Sequence, residues 1–310
     1  VGRSRIAHIL QDWGHNVIIE NTNIVDFRTV LDSDPDVIIG TTRLGAIVGA
    51  WKKTIHDTPL IVDHIDPISQ LREESGLLKA AFISQLEKLS FRTSDHVLVV
   101  YEEELSRVEE WTDNVTKTSL GVDYKRFADP SKVVLREAHD IFLSYLDDEK
   151  KTVTYIGGLE PIYNIEIMFD AIDHLDDWQL LILGDGSQRE QIETAALQYE
   201  NIIYLGTVEH KWIPGILRFS DVGINLCNDQ NTLKLLEYGA AGLPTVNIKG
   251  DAEERFEGLV EFCSLKPQDV AQAITVASES SVGRFQSFTK QFDWRSIADT
   301  YQDVIKSVTR

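Results

Sequence analysis

The sequence predicts an α/β protein made of two doubly wound, Rossmann-like domains. Short apolar runs alternate with amphipathic stretches along most of the chain, which is the pattern of parallel sheets covered by helices. Three successive runs in the second half, Val153–Leu159, Leu180–Gly186 and Ile202–Val208, carry glycine at their carboxyl ends. A length of 310 residues and a hydrophobic fraction of 43% are enough for two separate cores.

The first half is predicted to form a domain over residues 1–127. Its predicted helices are Ile6–Trp13, Arg43–His56, Leu77–Ser94 and Glu103–Trp111. Its predicted strands are Asn16–Glu20, Val37–Gly40, Leu60–Val62, His96–Val100 and Lys117–Leu120. A domain of this type normally opens with a strand, so we expect the first strand to lie upstream of Val1.

The second half is predicted to form a domain over residues 151–293, after a polar linker at 128–150. Besides the three glycine-ended strands, it contains two further predicted strands, Val222–Leu226 and Thr245–Ile248. The predicted helices are Ile165–Leu175, Gln188–Tyr199, Lys211–Ser220 and Gln268–Ala277, followed by a last helix over about 294–308.

The chain is strongly acidic, with a net charge of −20 and a pI near 4.7. Such a surface argues against binding of nucleic acid and against simple electrostatic docking on anionic lipid. Because salt screens the repulsion between surface carboxylates, the composition favours a salt-rich cytoplasm and a halophilic archaeal source. An ordinary acidic protein is the alternative.

Two cysteines, Cys227 and Cys263, are the only ones in the chain. Their spacing predicts neither a disulfide framework nor a zinc site. No signal peptide and no apolar run of about 18 residues are recognisable, so we expect a cytoplasmic protein.

The stretch after the strand Val222–Leu226 predicts a functional helix. Asn231 or Thr232 can cap its start, which places Lys234 in the first turn and Glu237 one turn later. A lysine beside free backbone N–H groups at a strand-to-helix junction makes an anion site, and a carboxylate can bind sugar hydroxyls. The alternative is an ordinary amphipathic helix in which the two charges partly neutralise each other.

Four motifs occur in a fixed order: Gly121–Val122–Asp123 with Phe127, Leu183–Gly186, Asp221–Ile224 and Leu236–Pro244. Together they resemble the retaining, nucleotide-sugar-dependent glycosyltransferases of family four (glycosyl transferase group 1), which have the GT-B fold. That resemblance implies two Rossmann-like domains facing a cleft, with the last helix packing back on the first domain.

The resemblance also implies roles for single residues. The family's ribose-binding glutamate matches Glu237, and its acidic residue facing the donor sugar matches Asp229, one methylene shorter. His64 is a candidate contact to sugar or acceptor, and Lys234 a candidate for stabilising the leaving diphosphate. The catalytic candidates are therefore His64, Asp229 and Lys234. The residues expected to bind the donor are Gly2, Gly157, Gly158, Gly184, Gly186, Val208, Asn231, Thr232, Leu233 and Glu237.

One feature of the family is missing from the sequence. The family has an arginine and a lysine that clamp the donor diphosphate after the first strand of the second domain, whereas Gly157–Asn164 has no basic residue and carries Glu160. Lys234 could compensate in part, Arg3 or Arg5 could reach over from the first domain, or catalysis could be lost.

The expected function is a metal-independent hexosyltransferase that moves a sugar from a nucleotide-diphosphate sugar to an acceptor hydroxyl with retention, in glycan or glycolipid assembly. The expected partners are the donor and a saccharide or lipid-linked acceptor, which implies association with the cytoplasmic membrane face; no further cofactor is expected. One alternative is a non-catalytic subunit that binds a nucleotide-sugar or a partner enzyme. A nucleotide-sugar epimerase using His64 with Asp63 and Asp66 is a third possibility.

Overall fold

A computed structural model describes residues 2–20, 28–65, 67–68, 71, 76–229 and 232–309. The chain divides into two compact units, Val1–Gly121 with Trp294–Arg310, and Val122–Asp293. The second unit includes residues 128–150, which the sequence analysis assigned to a linker. The difference arises because helix Lys132–Phe142 is amphipathic and buries Ala138 and Phe142 in the second unit's core.

The described residues of the first unit form a four-stranded sheet covered by helices on both faces. Its strands are β1 (Ile38–Gly40), β2 (Leu60–His64), β3 (His96–Val99) and β4 (Val115–Lys117). Its helices are α1 (Gly2–Asp12), α2 (Arg28–Asp32), α3 (Arg43–His56), α4 (Leu77–Thr93), α5 (Glu102–Glu109) and the final helix (Trp294–Val308). All strand pairs are parallel, in the order β1-β2-β3-β4.

Two apolar clusters hold this sheet between its helices. On one face, α1 and the final helix cover Ile61 and Leu98, with Tyr301 fully buried. On the other face, α3, α4 and α5 cover Leu60 and Val97. Because consecutive residues of a strand point to opposite faces, the apolar runs Leu60–Val62 in β2 and Val97–Val99 in β3 predict this burial on both sides.

The second unit is a six-stranded parallel sheet in the order β10-β9-β8-β5-β6-β7. Its strands are β5 (Lys151–Gly158), β6 (Trp178–Asp185), β7 (Ile202–Tyr204), β8 (Val222–Asn225), β9 (Thr245–Ile248) and β10 (Glu261–Cys263). Its helices are α6 (Tyr124–Ala128), α7 (Lys132–Phe142), α8 (Ile165–Ile172), α9 (Arg189–Gln198), α10 (Ile213–Ile216), α11 (Leu233–Ala241), α12 (Glu253–Phe256), α13 (Pro267–Ser278) and α14 (Gly283–Thr289). One core lies on each face of the sheet.

Three predictions about the first unit are wrong. The stretch Asn16–Glu20 is not a strand, and both Ile18 and Ile19 are largely exposed. The strand predicted at Lys117–Leu120 lies earlier, at Val115–Lys117, where it pairs with β3. The helix predicted to start at Ile6 begins at Gly2, because the helical pattern extends one turn further towards the amino terminus, so Gly2, a predicted donor residue, lies in α1.

Within the described part of the chain, no helix combines the length and the apolar content needed to cross a bilayer.

Candidate functional site

The second unit has a topological switch point at the carboxyl end of β5. This strand pairs with β6 on one side and with β8 on the other. The strand order continues through β6 and β7 on the first side and through β8, β9 and β10 on the second, so the direction of winding reverses next to β5. Ligands of open α/β sheets bind at such points, outside the carboxyl ends of the strands. Helix α11 follows β8 and therefore begins at this edge of the sheet.

Lys234, in the first turn of α11, extends its side chain over the end of β5. A Cβ atom added to Gly157 would lie 2.2 Å from Lys234 Cε, so the missing side chain makes room for the lysine. The Lys234 ammonium lies 3.7 Å from the centroid of the Tyr163 ring and 5.3 Å from that of Tyr155. Gly157, expected to bind the donor, therefore contacts the predicted cation directly.

Burial lowers the pKa of Lys234 to about 8, although the negative charges of Cys227 in its thiolate form, Asp229 and Glu237 act to raise it. An approaching anion interacts more strongly with a poorly hydrated cation than with a fully solvated one, because the local dielectric constant is lower. The position is therefore suited to binding a phosphate group.

Gly184 and Gly186, two of the other predicted glycines, are required by the packing of the backbone. A Cβ at Gly184 would lie 1.8 Å from the carbonyl oxygen of Gly157, and a Cβ at Gly186 would lie 2.6 Å from the backbone of Leu159. At Gly158 it would lie 3.3 Å from Tyr163. The ends of β5 and β6 thus approach each other closely, which explains Gly184 and Gly186 without a ligand.

Glu237, one turn after Lys234, belongs to a hydrogen-bond chain that the sequence analysis missed. His210 Nε2 lies 2.9 Å from Glu237 Oε1, and Arg126 Nη2 lies 2.5 Å from His210 Nδ1. Because an arginine N–H can only donate, Nδ1 accepts and the ring proton lies on Nε2, from which it is donated to Glu237. Arg126 also donates to the His210 carbonyl oxygen, which fixes the ring.

No local signal in the sequence marks His210 or Arg126. His210 lies in the irregular segment after β7, and Arg126 lies in α6, near the start of the second unit. Only the fold brings them to Glu237, whose side chain is 19% exposed.

Arg255 in α12 is a second cation near Asp229 that the sequence did not predict. Burial lowers the pKa of Arg255, whereas the charge of Asp229 acts to raise it. The Arg255 guanidinium lies 4.7 Å from the centroid of the Phe292 ring. Asp229 itself is exposed and also acts on Lys234, so the predicted donor-sugar residue has two cations in its neighbourhood.

Glu160 lies in the segment where the diphosphate clamp was expected, and its side chain makes structural hydrogen bonds there. The Glu160 carboxylate accepts hydrogen bonds from the Ser187 backbone N–H, at 3.1 Å, and from the Ser187 hydroxyl. These bonds lower the pKa of Glu160. Glu160 therefore ties the segment after β5 to the segment after β6. Basic groups near this edge come from other elements, with Arg189 in α9, Lys234 in α11 and Arg255 in α12.

Three of the remaining predicted donor residues lie near the same edge. Thr232 is buried at the start of α11 and makes no capping hydrogen bond with its side chain, whereas Leu233 is exposed. Val208 is half-buried after β7. Asn231 lies outside the described residues.

His64, the candidate from the first unit, belongs to a buried polar cluster at the end of β2. Its Nε2 atom lies 2.8 Å from Glu104 Oε2 and 3.1 Å from Arg107 Nη2. Burial acts to raise the pKa of Glu104, but hydrogen bonds from His64 and from the Ile68 N–H, with the charge of Arg107, outweigh it and lower the pKa to about 2. The role of His64 towards a sugar or an acceptor stays a prediction.

Arg3, considered above as a substitute for the clamp, forms an ion pair at 2.9 Å with Asp63 in the first unit. Asp66 lies outside the described residues. Among the described residues, no three or more His, Cys, Asp or Glu side chains are grouped so as to hold a metal ion.

The second unit matches a known protein family. Residues 150–279 match the family described as glycosyl transferases group 1. Over 175 residues, the chain is 27% identical to a phosphatidyl-myo-inositol mannosyltransferase of Mycobacterium leprae, covering 51% of this chain and 47% of that protein. The chain spans about half the length of the curated relatives it matches.

Solved structures extend the similarity to the whole chain. A glycosyltransferase from Rickettsia africae has a TM-score of 0.74 at 13% identity, covering 100% of this chain and 94% of that one. The Anabaena protein HepE, in a complex with UDP and glucose, has a TM-score of 0.69 at 16% identity, covering 91% of this chain and 80% of that one. Residues 150–279 are therefore similar to the glycosyl transferases group 1 family, and the chain has the two Rossmann-like halves of the GT-B fold.

Proposed function

We propose that this protein is a glycosyltransferase whose second unit binds a nucleotide-diphosphate sugar. The observation that carries the proposal is the position of Lys234, held over the glycine end of β5 with Glu237 one turn later in α11. Two comparisons support it: the family match over residues 150–279, and the similarity to HepE, whose structures contain UDP and UDP-glucose.

In the proposed complex, the diphosphate lies against the start of α11. The Lys234 ammonium and the N–H groups of the first helical turn both favour negative charge there. Charge grows on the diphosphate as the bond to the sugar breaks, and a fixed cation stabilises that charge without reorganising. Lys234 thus takes part of the role that an arginine and a lysine have in the family.

The nucleoside is proposed to bind beside Glu237. His210 donates to one oxygen of the carboxylate and holds the side chain in place, so that the carboxylate can accept hydrogen bonds from the two ribose hydroxyls. Because Arg126 fixes the tautomer of His210, this arrangement exists before the ligand arrives.

The finer features of the reaction belong to the same proposal. We expect transfer with retention of the anomeric configuration, no requirement for a divalent metal, and an acceptor hydroxyl on a saccharide or a lipid-linked glycan. The names of the two curated relatives, a phosphatidyl-myo-inositol mannosyltransferase and a putative teichuronic acid biosynthesis glycosyltransferase, support an acceptor of that class. NMR analysis of the product's anomeric centre, with and without EDTA, tests retention and metal independence.

A second candidate is a subunit that binds a nucleotide-sugar without transferring it. It is favoured by Glu160, an acidic residue engaged with Ser187 at the position of the expected clamp. The two candidates differ in a single assay, because only an enzyme converts the bound donor into free nucleotide and a glycosylated acceptor.

The first test is calorimetric titration of the wild-type protein with UDP-, GDP- and ADP-sugars at high salt. Glu237→Ala should lower the affinity for the preferred donor by at least about tenfold, because charge-assisted hydrogen bonds are lost. Glu279→Ala, which removes an exposed glutamate at the end of α13, serves as the matched control and should bind normally. A folded wild-type protein that binds none of the donors would refute the proposal.

A further inference from the structure

Glu104 and Arg107, one turn apart on α5, contact the imidazole of His64 in the first unit. Glu104 Oε2 lies 2.8 Å from His64 Nε2, and Arg107 Nη2 lies 3.1 Å from the same nitrogen. Arg107 Nε also donates to Glu104 Oε2, at 2.6 Å. The three side chains are only 5%, 3% and 17% exposed. The buried ring nitrogen therefore has one neighbour that can only donate and, in the ionised carboxylate, one that can only accept.

Only one of these two neighbours can hydrogen-bond to Nε2 of a neutral ring. The pKa of Glu104 is lowered to about 2, so its carboxylate is ionised at neutral pH, and a contact of 2.8 Å requires the proton on Nε2. Arg107 has acceptors of its own in Glu104 and in Glu87 Oε2, the latter at 3.3 Å. The ring proton is therefore donated from Nε2 to Glu104, which leaves Nδ1 unprotonated.

The Glu104 carboxylate is itself held in place by other elements of the first unit. The Ile68 N–H donates to its second oxygen at 2.9 Å. Glu87, on α4, accepts from Arg107 and also from Arg43 Nε on α3, at 2.7 Å. The two glutamates balance the charges of the two arginines, so the cluster is neutral when the imidazole is neutral. Three helices thus fix the ring before any ligand binds.

The unprotonated nitrogen belongs to a residue at the carboxyl edge of the sheet. His64 is the last residue of β2, and it lines a pocket together with Thr42, Asp63 and Ser90. In the described part of the chain, no group hydrogen-bonds to His64 Nδ1. A nitrogen acceptor in a buried side chain is stabilised when a donor reaches it, and a hydroxyl group can be that donor.

We infer that Glu104 is a positioning residue, which holds His64 with Nδ1 unprotonated so that this atom accepts a hydrogen bond from a sugar hydroxyl. The inference rests on the proposed function, because a glycosyltransferase handles saccharides at the carboxyl edges of its sheets. The hydroxyl belongs either to the donor sugar or to a saccharide acceptor, and both present the same O–H group. In the alternative, the cluster only ties α3, α4 and α5 together.

The first measurement is the ¹⁵N spectrum of histidine-labelled wild-type protein at about pH 8, where an unperturbed imidazole is neutral. The chain has eight histidines, and the signals absent from His64→Gln are those of His64. We expect a protonated Nε2 and an unprotonated Nδ1. In Glu104→Gln, the share of the opposite tautomer should rise, because the amide can offer either an oxygen or an N–H to Nε2. A proton on Nδ1 in the wild type would overturn the inference.

The variant His64→Gln tests Nδ1 while it keeps the contact with Glu104. The glutamine N–H can donate to Glu104 in place of the ring N–H, but the side chain has no acceptor at the position of Nδ1. Its urea midpoint should therefore stay close to that of the wild type. His96→Gln is the matched control, because His96 on the neighbouring strand β3 also hydrogen-bonds through Nε2, to Thr116 Oγ1 at 2.9 Å.

Donor titration and nucleotide release are measured for the wild type and both variants, with methyl α-D-glucoside and myo-inositol as acceptor probes. We expect His64→Gln to lower either donor affinity or turnover at least about fivefold, the effect of one lost hydrogen bond, and His96→Gln to leave both unchanged. A lower donor affinity assigns the hydroxyl to the donor sugar, whereas slower turnover at unchanged donor affinity assigns it to the acceptor.

Equal donor affinity and equal turnover of the wild type and His64→Gln would overturn the inference, since the cluster would then have a structural role alone. Failure of the proposed function gives a different result, in which the folded wild type binds none of the donors. The tautomer of His64 is then still decided by the ¹⁵N spectrum of the same protein.

Discussion

Replacing Lys234 by methionine should stabilise the protein at neutral pH while it weakens donor binding. The folded protein lowers the pKa of this lysine from 10.5 to about 8, which corresponds to about 3 kcal/mol against the charged form. The cation–π contact with Tyr163 offsets about 1–2 kcal/mol of that cost. Methionine keeps the apolar contacts with the rings and removes the charge, so we expect a net gain of about 1–2 kcal/mol near pH 7.

The pH dependence of this difference has a defined sign. Below about pH 8, Lys234 is protonated in both the folded and the unfolded protein, so the folded wild type is destabilised by the full free energy of burying the charged ammonium. Between about pH 8 and 10.5 the unfolded chain still binds a proton that the folded protein has released, so wild-type stability rises relative to the variant. The advantage of Lys234→Met should therefore shrink over this range.

The assay is urea unfolding of wild type and variant near pH 7 and near pH 10. Lys211→Met is the matched control, because Lys211 lies 4.3 Å from the centroid of the Trp212 ring but its side chain is 54% exposed. The reasoning is refuted if Lys234→Met is less stable than wild type near pH 7, or if the difference is the same at both pH values. In calorimetry, donor affinity of the wild type should fall above about pH 8, as the ammonium loses its charge.

The other perturbations test the hydrogen-bond chain, the packing of the strand ends and the buried acid. His210→Ala should weaken nucleotide binding about tenfold in calorimetry, whereas His210→Gln, which keeps an N–H donor, should retain most of the affinity. Gly184→Ala should cost more than about 4 kcal/mol in urea unfolding, because its Cβ would lie 1.8 Å from the carbonyl oxygen of Gly157, whereas Gly283→Ala, which points into open space, should not destabilise. Glu104→Gln should lower the free energy of unfolding by about 3–5 kcal/mol near pH 7, because it leaves buried partners of the carboxylate without a negative charge. The pKa of Glu104 is lowered to about 2 in the folded protein, so the stability advantage of the wild type should be lost as the pH falls from about 4.5 towards 2.

The fold could be predicted because its signals are local. The helix predicted at Arg43–His56 and the strand predicted at Thr245–Ile248 have the predicted bounds, since apolar periodicity and caps decide them. Asn16–Glu20 could not be assigned correctly, because alternation alone does not supply a neighbouring strand. The periodicity of α4 likewise separates two faces of the helix, but it does not predict which face is exposed; in the structure it is the face with Phe82.

The site could be predicted only in part. The sequence placed Lys234 and Glu237 one turn apart on a helix that follows a strand, and the structure has them there. Their roles towards a donor stay predictions that rest on the resemblance. His210 was not, because its partnership with Glu237 depends on contacts distant in sequence. Gly184 shows a different limit: a glycine at a strand end has the same appearance whether it approaches a ligand or, as here, another strand.

The contact between Gly157 and Lys234 has a consequence for how such proteins can diverge. A side chain at position 157 and a lysine at position 234 compete for the same space, because the Cβ of the one would lie 2.2 Å from the Cε of the other. A chain that acquires a larger residue at position 157 must shorten the side chain at position 234. A chain that loses the lysine still favours glycine at position 157, because the backbone φ there is +156°. In a set of homologous sequences, a residue other than glycine at position 157 should therefore occur only where position 234 carries a short side chain, whereas glycine at position 157 should occur with any residue at position 234.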